Sequence, residues 1–215
     1  EIFGLCGLSD SGIREVGQAA YGLLPVDSGE VSLPTHNVSI GNPYQALQNR
    51  VAYVPKDRDG EALMMGASIQ NNFCLPSVET LKGRFGFLSP KKLYQASSKA
   101  REQFSVKSTG VDQLMRALSG GNKQKVNLGR WLIKDLDVLI VDCPTRGVDI
   151  GVKAYIYQCL REAKEKGMAI LLITDELSEV LGMADTIAVM KDGEICKLLP
   201  RSAELSEETI IEVMT

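Results

Sequence analysis

The sequence predicts an α/β fold in which a parallel sheet is flanked by helices. Continuous apolar runs, typical of strands buried on both faces, occur at DVLIVD (137–142) and MAILLIT (168–174). Helical patterns follow them, in GVKAYIYQCLREAKEKG (151–167) and ELSEVLGMA (176–184). Strands that alternate with helices favour a parallel sheet with helices on both faces. Ligands of such sheets bind beyond the carboxyl ends of the strands.

The first predicted element is a strand that leads into a glycine-rich loop and then a helix. The apolar stretch IFGLCGL (2–8) predicts the strand. Four residues are predicted to form the apolar face of the helix: Ile13, Val16, Ala20 and Leu23. Because Glu1 already lies inside the strand pattern, we expect the amino-terminal strands to be truncated and the chain to be part of a longer protein.

Two further elements complete the predicted sheet. VAYVP (51–55) predicts a second strand, and TIAVMKDGEICKLL (186–199) predicts a hairpin that turns at Asp192-Gly193. In the helix of 151–167, three residues share one face: Ile156, Leu160 and Ala163. Gly167 is the expected C-cap of that helix.

The stretch from 63 to 117 differs from the rest of the chain. It contains polar, helix-favouring segments such as SPKKLYQASSKAREQF (89–104), joined by loops. We therefore predict a core domain made of 1–62 and 118–215, with a helical subdomain, 63–117, inserted in it.

Composition argues against several classes of protein. The net charge of -3 gives no support to a nucleic-acid-coating surface, and no apolar run is long enough to insert into a membrane. The five cysteines show no paired spacing, which favours a reducing compartment over a disulfide framework. The only histidine, His36, lies in a polar loop and is expected to be solvated.

The loop GLSDSGIR (7–14) has two glycines separated by four residues, which is how a phosphate-binding P-loop begins. Seven of its residues are candidates for nucleotide contact: Gly7, Ser9, Asp10, Ser11, Gly12, Ile13 and Arg14. A P-loop ends with Lys and then Ser or Thr, but this loop has Ile13 and Arg14 there. By itself the spacing is equally well explained by a plain turn between strand and helix.

Two downstream segments favour the phosphate interpretation. LSGGNKQKVNLGRWL (118–132) begins with Ser119, a good N-cap, and two glycines that leave backbone N–H groups open to an anion at the helix end. VLIVDCPTRGVD (138–149) ends its strand at Asp142, where a P-loop nucleotidase places a carboxylate that binds Mg²⁺. The alternatives are an ordinary capped helix and an acidic residue that only caps the strand.

These segments, in this order and spacing, resemble the nucleotide-binding domain of an ABC transporter over nearly the whole chain. The motifs that carry the resemblance are GLSDSGIR (7–14), YVPKDR (53–58), LSGGNKQK (118–125) and VDCPTRGVD (141–149). Finer features are similar to the second half of the tandem ATPase subunits of bacterial monosaccharide importers: YVPKDR, Asn122, PTRGVDIGVKAYIY (144–157) and ITDELSEVLGMADTIAVMKDGEI (173–195). Close relatives in that family serve nucleoside importers.

The resemblance implies a RecA-like P-loop NTPase core with an inserted ABC-type helical subdomain. It implies ATP or ADP and Mg²⁺ as ligands, with Asp142 at the metal, Lys56 in the Q-loop and Asp149 in the D-loop. In this family two domains pack head to tail, and each nucleotide lies between one P-loop and the signature of the partner. Five signature residues are the expected donation to the partner: Ser119, Gly120, Gly121, Asn122 and Gln124.

The departures from the family pattern fall on the catalytic positions, so no catalytic residue is intact. Ile13 replaces the P-loop Lys and Arg14 replaces the hydroxyl that binds Mg²⁺. Cys143 stands at the position of the general-base Glu, and Asp175 stands at that of the switch His. Lys56 replaces the usual Gln.

We therefore expect a degenerate half that completes the site of a partner, while its own site is weak or inactive. The expected partners are a second nucleotide-binding half, in the same polypeptide or a dimer, and a transmembrane permease. The domain is expected to lie at the cytoplasmic face of the inner or plasma membrane, bound there through the permease. One alternative is an independently active ATPase in which Arg14 supplies charge and Asp10 or Asp175 positions water. Another is a soluble ABC protein of translation or DNA maintenance, against which the acidic pI counts.

Overall fold

The computed structural model of the chain describes residues 1–8 and 10–214. Its strands are β1 (Ile2–Gly7), β2 (Ser32–Leu33), β3 (Val38–Ser39), β4 (Val51–Val54), β5 (Val138–Asp142), β6 (Ala169–Thr174), β7 (Thr186–Lys191) and β8 (Glu194–Pro200). Its α-helices are α1 (Ile13–Ala20), α2 (Pro43–Gln48), α3 (Ile69–Cys74), α4 (Val78–Leu81), α5 (Pro90–Gln103), α6 (Gly120–Leu132), α7 (Ile150–Glu165), α8 (Leu177–Met183) and α9 (Glu207–Met214). Among these residues every helix is too short or too polar to span a bilayer.

The main sheet has the order β4-β5-β6-β1-β7-β8. Its first five strands pair in parallel, and β8 pairs antiparallel with β7 at the edge. This confirms the predicted α/β fold, including the hairpin at Asp192-Gly193. The parallel register places the carboxyl ends of β1, β5 and β6 at one edge of the sheet, so the residues that follow these strands form the candidate site.

Contacts divide the chain into two compact units, described here separately. The sheet unit comprises Glu1–Val54, Leu136–Pro144 and Tyr157–Thr215, and the helical unit comprises Pro55–Asp135 and Thr145–Ile156. The predicted insertion, 63–117, lies within the helical unit, which also contains α6. The boundaries of the insertion stay a prediction.

The apolar face of α1 differs from the predicted one. Ile13 and Gly17 are buried, whereas Val16 is 39% exposed and Leu23 lies beyond the end of the helix. The reason is the close approach at Gly17, where a Cβ would lie 2.2 Å from Cδ1 of Ile173. The helix rests on the sheet at this point, which turns the i, i+4 and i+7 positions inward and leaves Val16 outside.

A short hairpin and helix between α1 and β4 were not predicted. Strands β2 and β3 pair around a turn in which Asn37 has a φ of 50°. Asn42 then caps α2 by accepting a hydrogen bond from the N–H of Gln45 at 2.9 Å. The signal in the sequence was the Asn-Pro pair at 42–43, an N-cap followed by a favoured first helical residue. His36, expected to be solvated, is 28% exposed, and its Nε2 lies 2.7 Å from Oδ2 of Asp137, a partner that was not predicted.

The cysteines differ sharply in exposure. All five are free thiols, and four are buried while Cys196 is exposed. Burial in β1 raises the pKa of Cys6 to about 12. That thiol therefore stays protonated near pH 8, and the thiolate is the reactive form.

We expect the folded chain to react rapidly with DTNB at one thiol, that of Cys196, and at all five after unfolding in guanidinium chloride. The measurement is the absorbance of released thionitrobenzoate at pH 8. The variant Cys196→Ser should lose the rapid phase and keep the rest. Any rapid equivalent in that variant would show that one of the four buried thiols is accessible.

Candidate functional site

The loop between β1 and α1 is a tight turn that requires glycine at both ends. Gly12 has a φ of 91°, in the left-handed region that favours glycine. A Cβ on Gly7 would lie 2.7 Å from the carbonyl oxygen of Met190, so no larger residue fits there. The buried Ser11 hydroxyl donates to the carbonyl oxygen of Leu8 at 2.7 Å. Asp10 is exposed, and the predicted contact of Ser9 lies outside the described residues.

Ile13 and Arg14, which begin α1, have different environments. Ile13 is 6% exposed and packs in the core of the sheet unit with Leu5 and Ile140. Arg14 places its Nε 3.3 Å from Oδ2 of Asp142, at the carboxyl end of β5. The guanidinium is therefore an ion-pair partner of the carboxylate, an arrangement that the sequence did not predict.

Asp142 is almost completely enclosed, with 2% of its surface exposed. Its Oδ2 accepts a second contact, a hydrogen bond from the hydroxyl of Tyr53 in β4 at 3.2 Å. Burial raises the pKa of Tyr53, the charge of Asp142 raises it further, and Arg14 lowers it in part. The phenol is thus held in its protonated, donating form. A buried carboxylate needs such partners, because an uncompensated charge in the interior is strongly destabilising.

Cys143 and Asp175 form a second pair at the same edge of the sheet. The Cys143 thiol is buried and donates to Oδ1 of Asp175 at 3.8 Å, while Asp175 itself is exposed. Cys143 has a φ of 46°, a left-handed conformation that is uncommon for residues other than glycine. A thiol in this place donates a weak hydrogen bond and lacks the two acceptor oxygens of a carboxylate.

The signature segment lies in the helical unit, at the start of α6. Ser119 is exposed and is the N-cap, and its Oγ accepts a hydrogen bond from Nδ2 of Asn122 at 2.9 Å. Oδ1 of Asn122 in turn accepts from the N–H of Lys107 at 2.8 Å. The Ser119 and Asn122 side chains are therefore held at the helix end. Gln124 differs from the other predicted signature residues, because it is 4% exposed and lies inside the unit.

The guanidinium group of Arg58 lies beside Gly120 of the signature segment. Nη2 of Arg58 is 3.1 Å from the position of a Cβ on Gly120, and its Nη1 donates to the carbonyl oxygen of Arg146 at 3.0 Å. Asp59, which follows Arg58, pairs with Lys123 of α6 at 2.8 Å. Sequence reasoning included Arg58 in the YVPKDR motif without giving it a role. Nothing in the spacing alone places its side chain at Gly120.

Two predicted loop residues of the helical unit have ordinary environments. Lys56 is half-buried and lines the same cleft as Arg58 and Arg146. Asp149 is exposed, and its Oδ1 accepts a hydrogen bond from the N–H of Val152 at 3.0 Å, which caps α7. Neither geometry assigns a chemical role, so the predicted Q-loop and D-loop roles stay predictions.

The family model described as "ABC transporter" matches residues 1–146. The chain belongs to the ABC transporter family. It is 38% identical, over its whole length, to 43% of the ribose import ATP-binding protein RbsA of Lactococcus lactis. It is 39% identical, again over its whole length, to 43% of a protein of Agrobacterium fabrum named as a ribose/galactose/methyl galactoside import ATP-binding protein. The chain thus spans less than half the length of these curated relatives.

Solved structures of ABC cassettes share the fold. A nucleotide-free ATP-binding cassette from an ABC transporter aligns with a TM-score of 0.81 at 21% identity, covering 100% of this chain and 88% of that one. A dimeric bacterial ABC transporter cassette aligns with a TM-score of 0.80 at 20% identity, covering 94% of this chain and 86% of that one. At this identity the likeness confirms the fold alone.

In this ABC domain, the edge of the sheet where Asp142 and the loop of 7–14 lie does not fit a magnesium ion. Mg²⁺ requires oxygen ligands in an octahedral arrangement, but Arg14 and Tyr53 already contact Oδ2 of Asp142. The side chain at position 14 has only N–H donors, and the Ser11 hydroxyl is directed to the carbonyl oxygen of Leu8. Within 1–8 and 10–214 there is no group of three or more His, Cys, Asp or Glu residues that could hold a metal.

The same edge of this ABC domain keeps the features that suit a phosphate group. Gly12 brings no side chain to cap α1, so the N–H groups of the first helical turn face the loop without a side-chain acceptor from the cap. The positive end of the helix dipole lies there as well. The residues therefore fit the phosphates of ATP or ADP better than they fit the metal that accompanies them.

Proposed function

We propose that this chain is the second, carboxyl-terminal ATP-binding half of the ATPase subunit of a bacterial sugar importer. In this proposal it completes the ATP site of the first half with its signature and does not hydrolyse ATP at its own P-loop. The names of the relatives, which refer to ribose and galactose import, support the sugar assignment. Their length, of which the chain covers 43%, is consistent with two such halves in one polypeptide.

The observation that carries the proposal is the contact between Arg14 and Asp142. Phosphoryl transfer in P-loop enzymes uses a lysine on the phosphates and a metal held by a hydroxyl and an aspartate. A lysine about 4 Å from a phosphate oxygen contributes roughly 4 kcal/mol of gross attraction at an effective dielectric near 20. Ile13, buried in the core, contributes no charge. The contact between Arg14 and Asp142 therefore supports a P-loop that lacks both the lysine and the bound metal used in phosphoryl transfer.

The position of the family's general-base Glu carries no carboxylate in this chain, because it is occupied by Cys143. Cys143 is buried at the end of β5 and contacts Asp175. A thiol is a poor substitute for a carboxylate general base. Asp175, a carboxylate at the position of the switch histidine, repels a terminal phosphate.

The signature end of α6 supports the donated role. It presents an exposed Ser119, the glycines that follow and a fixed Asn122, with Arg58 beside Gly120 as an additional positive charge. Backbone N–H groups at a helix start and a neighbouring guanidinium are suited to a terminal phosphate. Gln124, being buried, supports α6 from inside and is not proposed to reach the partner.

The proposed setting follows from this division of roles. The chain pairs with the first nucleotide-binding half, in the same polypeptide or as a dimer partner, and contacts a transmembrane permease through 63–117. ATP or ADP is the ligand, and the domain lies at the cytoplasmic face of the membrane, held there by the permease.

The test is ATP hydrolysis by the purified chain, by the first half and by the two together. We expect hydrolysis at the level of the blank from the chain alone, and a rate for the mixture well above that of the first half alone. Robust hydrolysis by the chain alone would support the independently active enzyme instead. In that case Asp175→Asn should abolish the activity, whereas Asp137→Asn, before the amino end of β5 at the opposite edge of the sheet, is the charge-matched control.

A further inference from the structure

We propose that Arg14 is a tethered cation that takes the place of the divalent metal at Asp142, so that this P-loop binds nucleotide di- or triphosphates without magnesium. The inference rests on the proposed function, because it takes the loop of 7–14 to be a nucleotide phosphate loop. It goes further by specifying the ionic form of the ligand.

The first step concerns the number of cations that the edge of the sheet can hold. Asp142 is the carboxylate that the resemblance to the family places at the metal, and it is 2% exposed. Its Oδ2 is 3.3 Å from Nε of Arg14 and 3.2 Å from the hydroxyl of Tyr53. A magnesium ion there would have to displace the guanidinium or share the one carboxylate with it.

The second step concerns the ligand that reaches the guanidinium. The side chain of Arg14 is 37% exposed, so it is open to solvent as well as bound to the carboxylate. Arginine presents several N–H donors in a planar fork that matches phosphate oxygens. A metal-free polyphosphate therefore gains a fixed positive charge at this edge. A nucleotide that carries Mg²⁺ brings its own positive charge toward Arg14, so its attraction to the guanidinium is weaker.

The third step concerns the direction in which neutralising the aspartate changes nucleotide affinity, because that direction differs between this site and a conventional one. In a conventional P-loop site the aspartate helps to bind the metal, so neutralising it weakens nucleotide binding in magnesium. In this chain the carboxylate competes with the phosphates for Arg14. Replacing Asp142 by Asn removes that competition and one negative charge, while the amide oxygen still accepts from Tyr53.

The experiment is calorimetric titration of ADP and ATP into the 215-residue chain, with excess magnesium chloride or with EDTA. We expect binding in EDTA that is at least as tight as in magnesium. We expect Asp142→Asn to lower Kd in EDTA by roughly three- to tenfold, and Arg14→Gln to raise it by a similar factor. Circular dichroism and melting curves check that each variant is folded.

The matched control is Asp137→Asn. Asp137 precedes β5, at the amino end of the strand, and pairs with Arg50 at 3.1 Å. The variant changes the net charge by the same amount at the opposite edge of the sheet, so its Kd should equal that of the parent chain. Arg14→Gln keeps the proposal testable even if Asp142→Asn does not fold, because Arg14 is partly exposed.

Three results would overturn the inference. These are binding that requires magnesium, an Asp142→Asn variant that binds more weakly, and no binding by the parent chain and both variants in either condition. The last result would leave the proposed function standing if the chain still stimulated hydrolysis by the first half. Conversely, tight binding in EDTA with no stimulation would support the tethered cation and contradict the donated signature.

Discussion

Replacing Ser119 by Asp is expected to lower ATP hydrolysis, in a mixture of this chain with the first half, by roughly 100-fold or more. The substitution puts a carboxylate at the exposed N-cap of α6, where the proposal places the terminal phosphate of the partner site. Two unit charges about 4 Å apart repel by roughly 4 kcal/mol at an effective dielectric near 20. The measurement is the steady-state rate of phosphate release by the mixture.

This substitution separates function from stability. Asp is as good an N-cap as Ser and interacts favourably with the helix dipole, so the variant should melt at the temperature of the parent. Ser89→Asp is the positional control, because Ser89 is the N-cap of α5 in the same unit. It should leave the rate unchanged. If Ser119→Asp keeps the full rate while the two halves still associate, the signature of this chain is not at the reacting phosphate.

Replacing Phe73 by Ala should reduce the free energy of unfolding of the helical unit by about 3–5 kcal/mol. Phe73 is fully buried in α3, which packs against α5 and α6. Its ring stacks on that of Phe104 with centroids 6.4 Å apart. The Phe104 ring in turn lies against Gly129 of α6, where a Cβ would be 2.6 Å away. Truncation therefore leaves a cavity beneath the helix that carries the signature.

Guanidinium chloride unfolding followed by tryptophan fluorescence measures this change. The only tryptophan, Trp131, lies in α6 and therefore reports on the helical unit. Phe85→Ala is the matched control, since that ring is 93% exposed and its loss should change the free energy by about 0.5 kcal/mol at most. Equal losses in the two variants would contradict the packing described for α3.

The fold could be predicted because its signals are local. The apolar runs that became β5 and β6 are long enough to be read as strands buried on both faces, and their order with the helices determines a parallel sheet. The predicted buried face of α1 was wrong, because the side of the helix that faces the sheet depends on the close approach of Gly17 to Ile173. These two residues are far apart in the chain. The spacing of apolar residues alone predicted that Val16 would lie on the buried face of the helix together with Ile13.

The sequence predicted most of the residues of the candidate site, but it did not predict which of their side chains are in contact. Motif spacing located the loop of 7–14, Asp142 and the signature, and it identified Ile13, Arg14 and Cys143 as departures. It gave Arg14 no partner, because the distance from α1 to the end of β5 is a property of the folded sheet. Tyr53 was missed for the same reason, since a tyrosine in an apolar strand is usually a core residue.

The packing of Ile13 bears on how such a site could change over evolutionary time. A lysine at this position would have to lift its ammonium group out of the core around Leu5 and Ile140, or else lose its charge. A threonine at position 14 would leave the buried Asp142 without its cation. Either of these two single reversals toward the family pattern thus passes through a less stable chain. The present residues are mutually adapted, and the route back requires several changes at once.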